Sequence, residues 1–128
     1  MSFRYDHCVA YVDDYVYAIG GRGMNGISQK TCERYSVSRN VWEPIAGMNY
    51  QRSALTCCAS TKNKLIFVIG QAYFLNQNLV IEKYSIEENE WSVIRVKIPL
   101  EINLMSFFKN TINVKLAYLD SNLYSQKK

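Results

Sequence analysis

The stretch Val16-Tyr17-Ala18-Ile19-Gly20-Gly21 decides how this chain is read, because it returns as Ile66-Phe67-Val68-Ile69-Gly70-Gln71. Each version is an apolar run closed by glycine. Its surroundings recur in the same order. Upstream, Arg4 returns as Arg52. Downstream, Glu33-Arg34-Tyr35-Ser36-Val37 returns as Glu82-Lys83-Tyr84-Ser85-Ile86, and Asn40-Val41-Trp42-Glu43 returns as Asn89-Glu90-Trp91-Ser92. The offsets run only from 48 to 50, so short loop insertions, as in Thr61-Lys62-Asn63-Lys64, account for the differences in spacing. A fixed period of this size marks a repeat architecture.

Each copy reads as four short strands. In the first they cover residues 7–12, 15–20, 30–36 and 41–45; in the second, 54–60, 65–70, 79–85 and 90–94. The runs are rich in β-branched and aromatic residues, and Asp13-Asp14, Lys62-Asn63-Lys64 and Glu87-Glu88-Asn89 supply turns. The nearly continuous apolar stretches 16–19 and 65–69 predict burial on both faces. A helical reading fails: the runs are short, turn residues close them, and none keeps a 3.6-residue period for three turns. The expected division is a first repeat at 1–48, a second at 49–98, and a degenerate or truncated third repeat and tail at 99–128. That last segment offers strands at 103–108 and 112–116 but has no glycine pair and no tryptophan.

The composition fits an ordered domain. Of 128 residues, 48% are apolar and 20% charged, with six Gly and two Pro, which excludes disorder and collagen-like chains. No run approaches the ~20 apolar residues that span a bilayer, so no membrane role is expected. The first residues lack the apolar region of a secretory signal, which points to the cytoplasm. Net charge is +4, balanced through residue 94 and in excess only over 95–128. There the charges are scattered, apart from Lys127-Lys128, and no basic stripe for nucleic acid forms.

Chemistry-bearing clusters are missing from the sequence. Cys8, Cys32, Cys57 and Cys58 show neither CxxC spacing nor a Cys/His cluster, so no metal site is expected. Neighbouring Cys57 and Cys58 point to opposite faces of a strand. All four read as small buried thiols in a reducing compartment. His7 is the only imidazole, no carboxylates are paired for acid–base work since Asp13-Asp14 and Glu87-Glu88 read as solvated turn charges, and Gly20-Gly21-Arg22-Gly23 lacks the GK[ST] ending of a phosphate loop. No catalytic residue and no cofactor are expected, and the chain is not read as an enzyme.

A four-stranded unit of about 50 residues, with a glycine pair after the second strand, then a tyrosine and a tryptophan, resembles the kelch repeat. In the first copy the matching residues are Arg4, Gly20-Gly21, Glu33-Arg34-Tyr35, Trp42 and Met48; in the second, Arg52, Gly70, Glu82-Lys83-Tyr84 and Trp91. Gln71 departs from the pattern where a second glycine should stand. The resemblance implies an all-β fold, a partial kelch β-propeller of about two antiparallel blades plus an incomplete third. Gly20, Gly21 and Gly70 would serve turns; Tyr35, Trp42, Tyr84 and Trp91 would pack between sheets.

The resemblance also implies a non-catalytic protein-interaction module whose inter-strand loops face a protein partner. One large branch of the family recruits a cullin ubiquitin ligase through a preceding BTB domain; this sequence shows no BTB-like helical segment. The candidate contact residues are Arg22 and Asn25 in the loop at 22–29, and Tyr73, Phe74 and Asn76 in the loop at 72–78. Arg4 and Arg52 join them, since in some propellers of this family an arginine at that place faces the central binding surface. Some kelch-like propellers are copper or sugar-modifying enzymes, but a copper site needs several His or Tyr ligands and His7 stands alone. Propellers close with 4–8 blades. Two and a fraction leave three solutions: a fragment of a longer protein, self-association or pairing with other kelch blades, or an unstable short product. A first strand beginning almost at Met1 makes a fragment the expectation.

Overall fold

The computed structural model describes residues 1–70, 74–75 and 78–97. Every regular element among them is a β-strand: β1 Cys8–Val12, β2 Tyr15–Ile19, β3 Cys32–Ser36, β4 Val41–Ile45, β5 Leu55–Ser60, β6 Leu65–Gly70, β7 Phe74–Leu75, β8 Asn78–Ser85 and β9 Glu90–Lys97. Strands β1 to β4 form one antiparallel sheet in chain order. The long strands of the second copy form the other, in the order β5-β6-β8-β9. These are the two blades that the repeat predicts.

The boundaries differ from the expectation where backbone groups find other partners. The third strand starts at Cys32, not residue 30, because the Lys30 carbonyl turns away from β2 and accepts from Met48 N at 2.8 Å. Strand β7 was expected to be loop. It pairs Phe74 with Leu79 and Leu75 with Asn78, using the edge of β8 that extends past the end of β6. On its other edge β8 pairs with β9 along its whole length, which carries β9 to Lys97 rather than 94. The expected third repeat at 99–128 lies outside the described residues.

The turns repeat as the strands do. The non-glycine residues with positive φ come as pairs one period apart: Asp6 with Ala54, Asp13 with Lys64, and Asn40 with Asn89. Asn40 and Asn89 serve the same turn in each blade, and each accepts a hydrogen bond from the phenol of that blade's tyrosine, Tyr35 or Tyr84. Short polar side chains tolerate this left-handed conformation because they bond locally.

The core lies between the blades. One face of β1 and β2, with Cys8, Ala10, Val12, Tyr17 and Ile19, packs on Leu55, Ile66, Val68 and Tyr84 of the second sheet. Strand β6 is buried at all six positions, as its continuous apolar run predicts. Strand β2 is buried only in its second half, since Tyr15 and Val16 stay half-exposed. Neither sheet encloses a core alone, the usual condition of stacked repeats.

Candidate interaction face

One end of the first blade gathers three irregular segments: the residues before β1, the loop from β2 to β3, and the connection from β4 to β5. Backbone hydrogen bonds stitch them together. Tyr5 and Arg22 exchange N–H groups and carbonyls at 3.0 and 2.7 Å, Gly21 N donates to the Arg52 carbonyl at 2.7 Å, and Arg52 N donates to Gln29 O at 3.2 Å. The Ser28 and Ser53 hydroxyls meet at 2.8 Å. Gly21 makes this closeness possible: at φ 91° a Cβ there would sit 2.5 Å from the Tyr5 carbonyl oxygen.

The loop is fixed from within. Arg22 donates to the Gly26 carbonyl at 2.9 Å, and its Nε lies 3.6 Å from Asp6 Oδ2. Asn25 accepts from Ile27 N at 3.0 Å, turning the loop tip. A groove of about 530 Å³ opens between this loop and the blade connection, lined by Met24, Asn25, Ile27, Gln29, Lys30 and Gln51 among others. Two of the lining side chains are exposed and apolar, Met24 at 86% exposure and Ile27; Phe3 and Tyr5 are exposed too, in the segment before β1 that pairs with Arg22. Phe3 and Tyr5 meet edge to face at 6.1 Å.

Arg4 and Arg52 occupy different ground. Both are buried and both are held by a carboxylate of their own blade. Arg4 reaches Glu33 at 2.9 Å and donates to the carbonyls of Gly20 and Thr31. Arg52 reaches Glu82 at 2.9 Å, with both side chains fully buried. Glu82 also accepts from Asn49 N, Asn49 Nδ2 and Tyr50 N, so one carboxylate anchors the whole connection between the blades. Glu33 receives Ser2 N and Ser2 Oγ in the same way. Burial raises the Glu33 carboxyl, but the Arg4 and Ser2 donors outweigh it and hold the group below its ordinary value.

The remaining expected contact residues can be placed in part. Arg22 and Asn25 stand together on the loop. Phe74 lies in the backbone of β7, while Tyr73 and Asn76 fall outside the described residues. Met24 and Ile27 lie within the expected contact loop at 22–29, whereas Phe3 and Tyr5 fall outside both loops that the sequence singles out. The motif aromatics pair within each blade: Tyr35 lies 5.3 Å from Trp42, and Tyr84 lies 4.9 Å from Trp91. The second pair also grips the first blade. Trp91 Nε1 donates to the Ala46 carbonyl at 2.8 Å, and Ala46 N donates to Asn89 Oδ1 at 3.0 Å.

Strand register shows what those aromatics face in each blade. In the second, Cys57, Ala59, Ile66, Val68, Tyr84 and Trp91 share the face turned toward the first blade. Their counterparts in the first blade are Val9, Tyr11, Val16, Ala18, Tyr35 and Trp42, which share its outward face. There Val9 and Tyr11 are exposed, Tyr11 at 63%.

Catalytic groupings are sparse on both faces. Burial and the charge of Arg4 keep the His7 imidazole below its ordinary value, hence neutral at pH 7. No group of three or more His, Cys, Asp or Glu residues placed to hold a metal occurs among the described residues. The groove sets exposed apolar side chains on a backbone fixed by hydrogen bonds.

Comparison with known proteins agrees in kind. Residues 4–49 match the family described as the kelch motif. The chain is 30% identical over 108 residues to a RING finger domain and kelch repeat-containing protein of Dictyostelium discoideum, covering 83% of this chain and 11% of that protein. It is 30% identical over 116 residues to Kelch-like protein 23 of Mus musculus, covering 88% of this chain and 20% of that protein. An F-box/kelch-repeat protein of Arabidopsis thaliana is 28% identical over 90 residues, covering 69% of this chain and 23% of its own length. The chain therefore spans less than a quarter of each of these relatives.

Proposed function

Because this chain belongs to the kelch-repeat family, with two four-stranded blades of a partial propeller, we propose that it is a non-catalytic binding module whose loop face grips a protein partner. One observation carries the reading: exposed Met24 and Ile27 line the groove on a loop that Arg22 and Asn25 hold from within, and exposed Tyr5 is paired to Arg22 through the backbone. Apolar and aromatic anchors with an arginine nearby are what hot spots are made of. A rigid frame reduces the ordering cost of binding.

The partner is the substrate of a ubiquitin ligase, and the chain is the recognition part of its adaptor. Two relatives support this, since their names join kelch repeats to a RING finger domain or an F-box. The experiment compares partners captured from cells by the wild type, by Met24→Asp/Ile27→Asp, and by Ser38→Asp/Arg39→Asp at the opposite end of the blade. The loop variant should lose the partner with its melting temperature unchanged, and the far-end variant should retain it. Equal capture by all three would end the proposal. A partner that is captured but whose ubiquitination does not fall with the loop variant would remove the ligase role and leave the binding role.

A second reading rests on the outward face of the first blade. It repeats the Tyr, Asn and Trp set with which the second blade grips Ala46, and it exposes Tyr11. On this reading the chain is an assembly piece that accepts another blade there. Light scattering of the purified chain should then show association that Tyr11→Lys abolishes; a monomer at all concentrations would refute self-association.

A further inference from the structure

Strands β1 and β5 meet where the two blades join, and each brings a cysteine to the contact. Cys8 is 8% exposed and belongs to the inter-blade core; Cys57 packs against that core and is half-buried. The Cys57 thiol donates to the Val9 carbonyl at 3.3 Å, which places its sulfur beside the backbone next to Cys8. The two thiols are close enough to shift each other's ionisation. Cys32 is the deeper thiol, 2% exposed, and burial pushes it up to about 12. Cys58 points to the other face of β5 by strand alternation. None of the four is in a disulfide.

We propose that Cys8 and Cys57 form a reversible disulfide when the protein meets a peroxide, a redox latch that locks the first blade to the second. Cys57 reacts first, because it is the more accessible of the two and the neighbouring Cys8 thiol holds it below the ordinary value, against the burial that raises it. Cys8 is pushed up by the neighbouring Cys57 and by burial, so it stays protonated until Cys57 has been oxidised. The Cys57 thiolate attacks one peroxide oxygen; the S–O bond forms, the O–O bond breaks and hydroxide leaves, giving the sulfenic acid. The Cys8 sulfur then attacks the Cys57 sulfur. The S–S bond forms, the S–O bond breaks, and water departs with the Cys8 proton. Two thiols have lost two electrons, and the peroxide has been reduced to two waters. A dithiol reverses the latch by exchange.

The test uses the full chain, reduced and then treated with hydrogen peroxide. After trypsin, peptide 5–22 should be joined to peptide 53–62, with fragmentation between Cys57 and Cys58 placing the link on Cys57. On a non-reducing gel the protein should stay monomeric. Its melting temperature should rise by roughly 10 °C and fall back on reduction. In Cys8→Ser the link should vanish while a dimedone-reactive sulfenic acid remains on Cys57. Linkage through Cys32 or Cys58, linkage between chains, or equal rates in the native and guanidinium-unfolded protein would overturn the proposal.

Discussion

Glu82 shows at the level of one residue how the repeat holds itself together. Its carboxylate accepts Arg52 Nε at 2.9 Å and Asn49 N at 2.6 Å, with Asn49 Nδ2 and Tyr50 N beside them. Removing one partner of a fully buried pair strands a charge, so Glu82→Ala should cost about 3–5 kcal/mol in urea unfolding. Glu33 does the same work in the first blade from a less buried position, at 14% side-chain exposure, and Glu33→Ala should cost about 1–2 kcal/mol. Equal losses would show that burial does not set the difference. Glu33 also has a pH signature. Its folded value is depressed, so its contribution is complete above the ordinary value of 4.5 and is lost as pH falls through the folded value. Stability measured below pH 4.5 should fall less steeply in Glu33→Gln than in the wild type. That Arg4, Arg52, Glu33 and Glu82 recur was legible in the string. That they pair was not, because only the fold brings residues 29 and 30 positions apart into contact.

Among the elements, the strands were the most legible part and the strand ends the least. Runs of β-branched and aromatic residues closed by turn residues located β1, β2, β4, β5, β6 and β8 to within a residue. They could not show that Lys30 would spend its carbonyl on Met48, nor that β8 would outrun β6 and pick up Phe74–Leu75. The close approach of β5 to β6 is likewise invisible in the string, although the glycine that permits it was singled out. A Cβ at Gly70 would lie 2.3 Å from Leu55 Cβ and 2.6 Å from its Cα, so the two strands would have to part. Gly70→Ala should cost about 2–3 kcal/mol, read as a lower urea midpoint; a loss below about 0.5 kcal/mol would mean that the strands part freely. The two tryptophans, alike in sequence, should differ. Trp91 bonds to Ala46 across the blade junction, whereas Trp42 sits on the outward face. Trp91→Ala should cost about 3 kcal/mol and Trp42→Ala about 1 kcal/mol. Matching losses would mean that the outward face is covered in solution.

The whole molecule follows from where the core lies. Cys8, Ala10, Val12, Tyr17 and Ile19 from one blade and Leu55, Ile66, Val68 and Tyr84 from the other form one buried cluster. The residues joining the blades are anchored on both sides, Ala46 by Asn89 and Trp91, and Asn49 and Arg52 by Glu82. Even the exposed turns meet, with Lys64 Nζ 2.6 Å from Asp13 Oδ2. Opening either blade uncovers the other's apolar face, at roughly 25 cal/mol for each Å² exposed. The blades should therefore unfold as one cooperative unit despite being two repeats. The chain carries its own reporters, since each blade holds a single tryptophan. Trp42→Phe leaves only Trp91 to report on the second blade, and Trp91→Phe leaves only Trp42 for the first. Urea curves followed by fluorescence should give, within each variant, the same midpoint as far-ultraviolet circular dichroism of the whole chain. A tryptophan transition that separates from the backbone transition would mean that the blade it reports on melts alone, and the shared core would then not be what couples them.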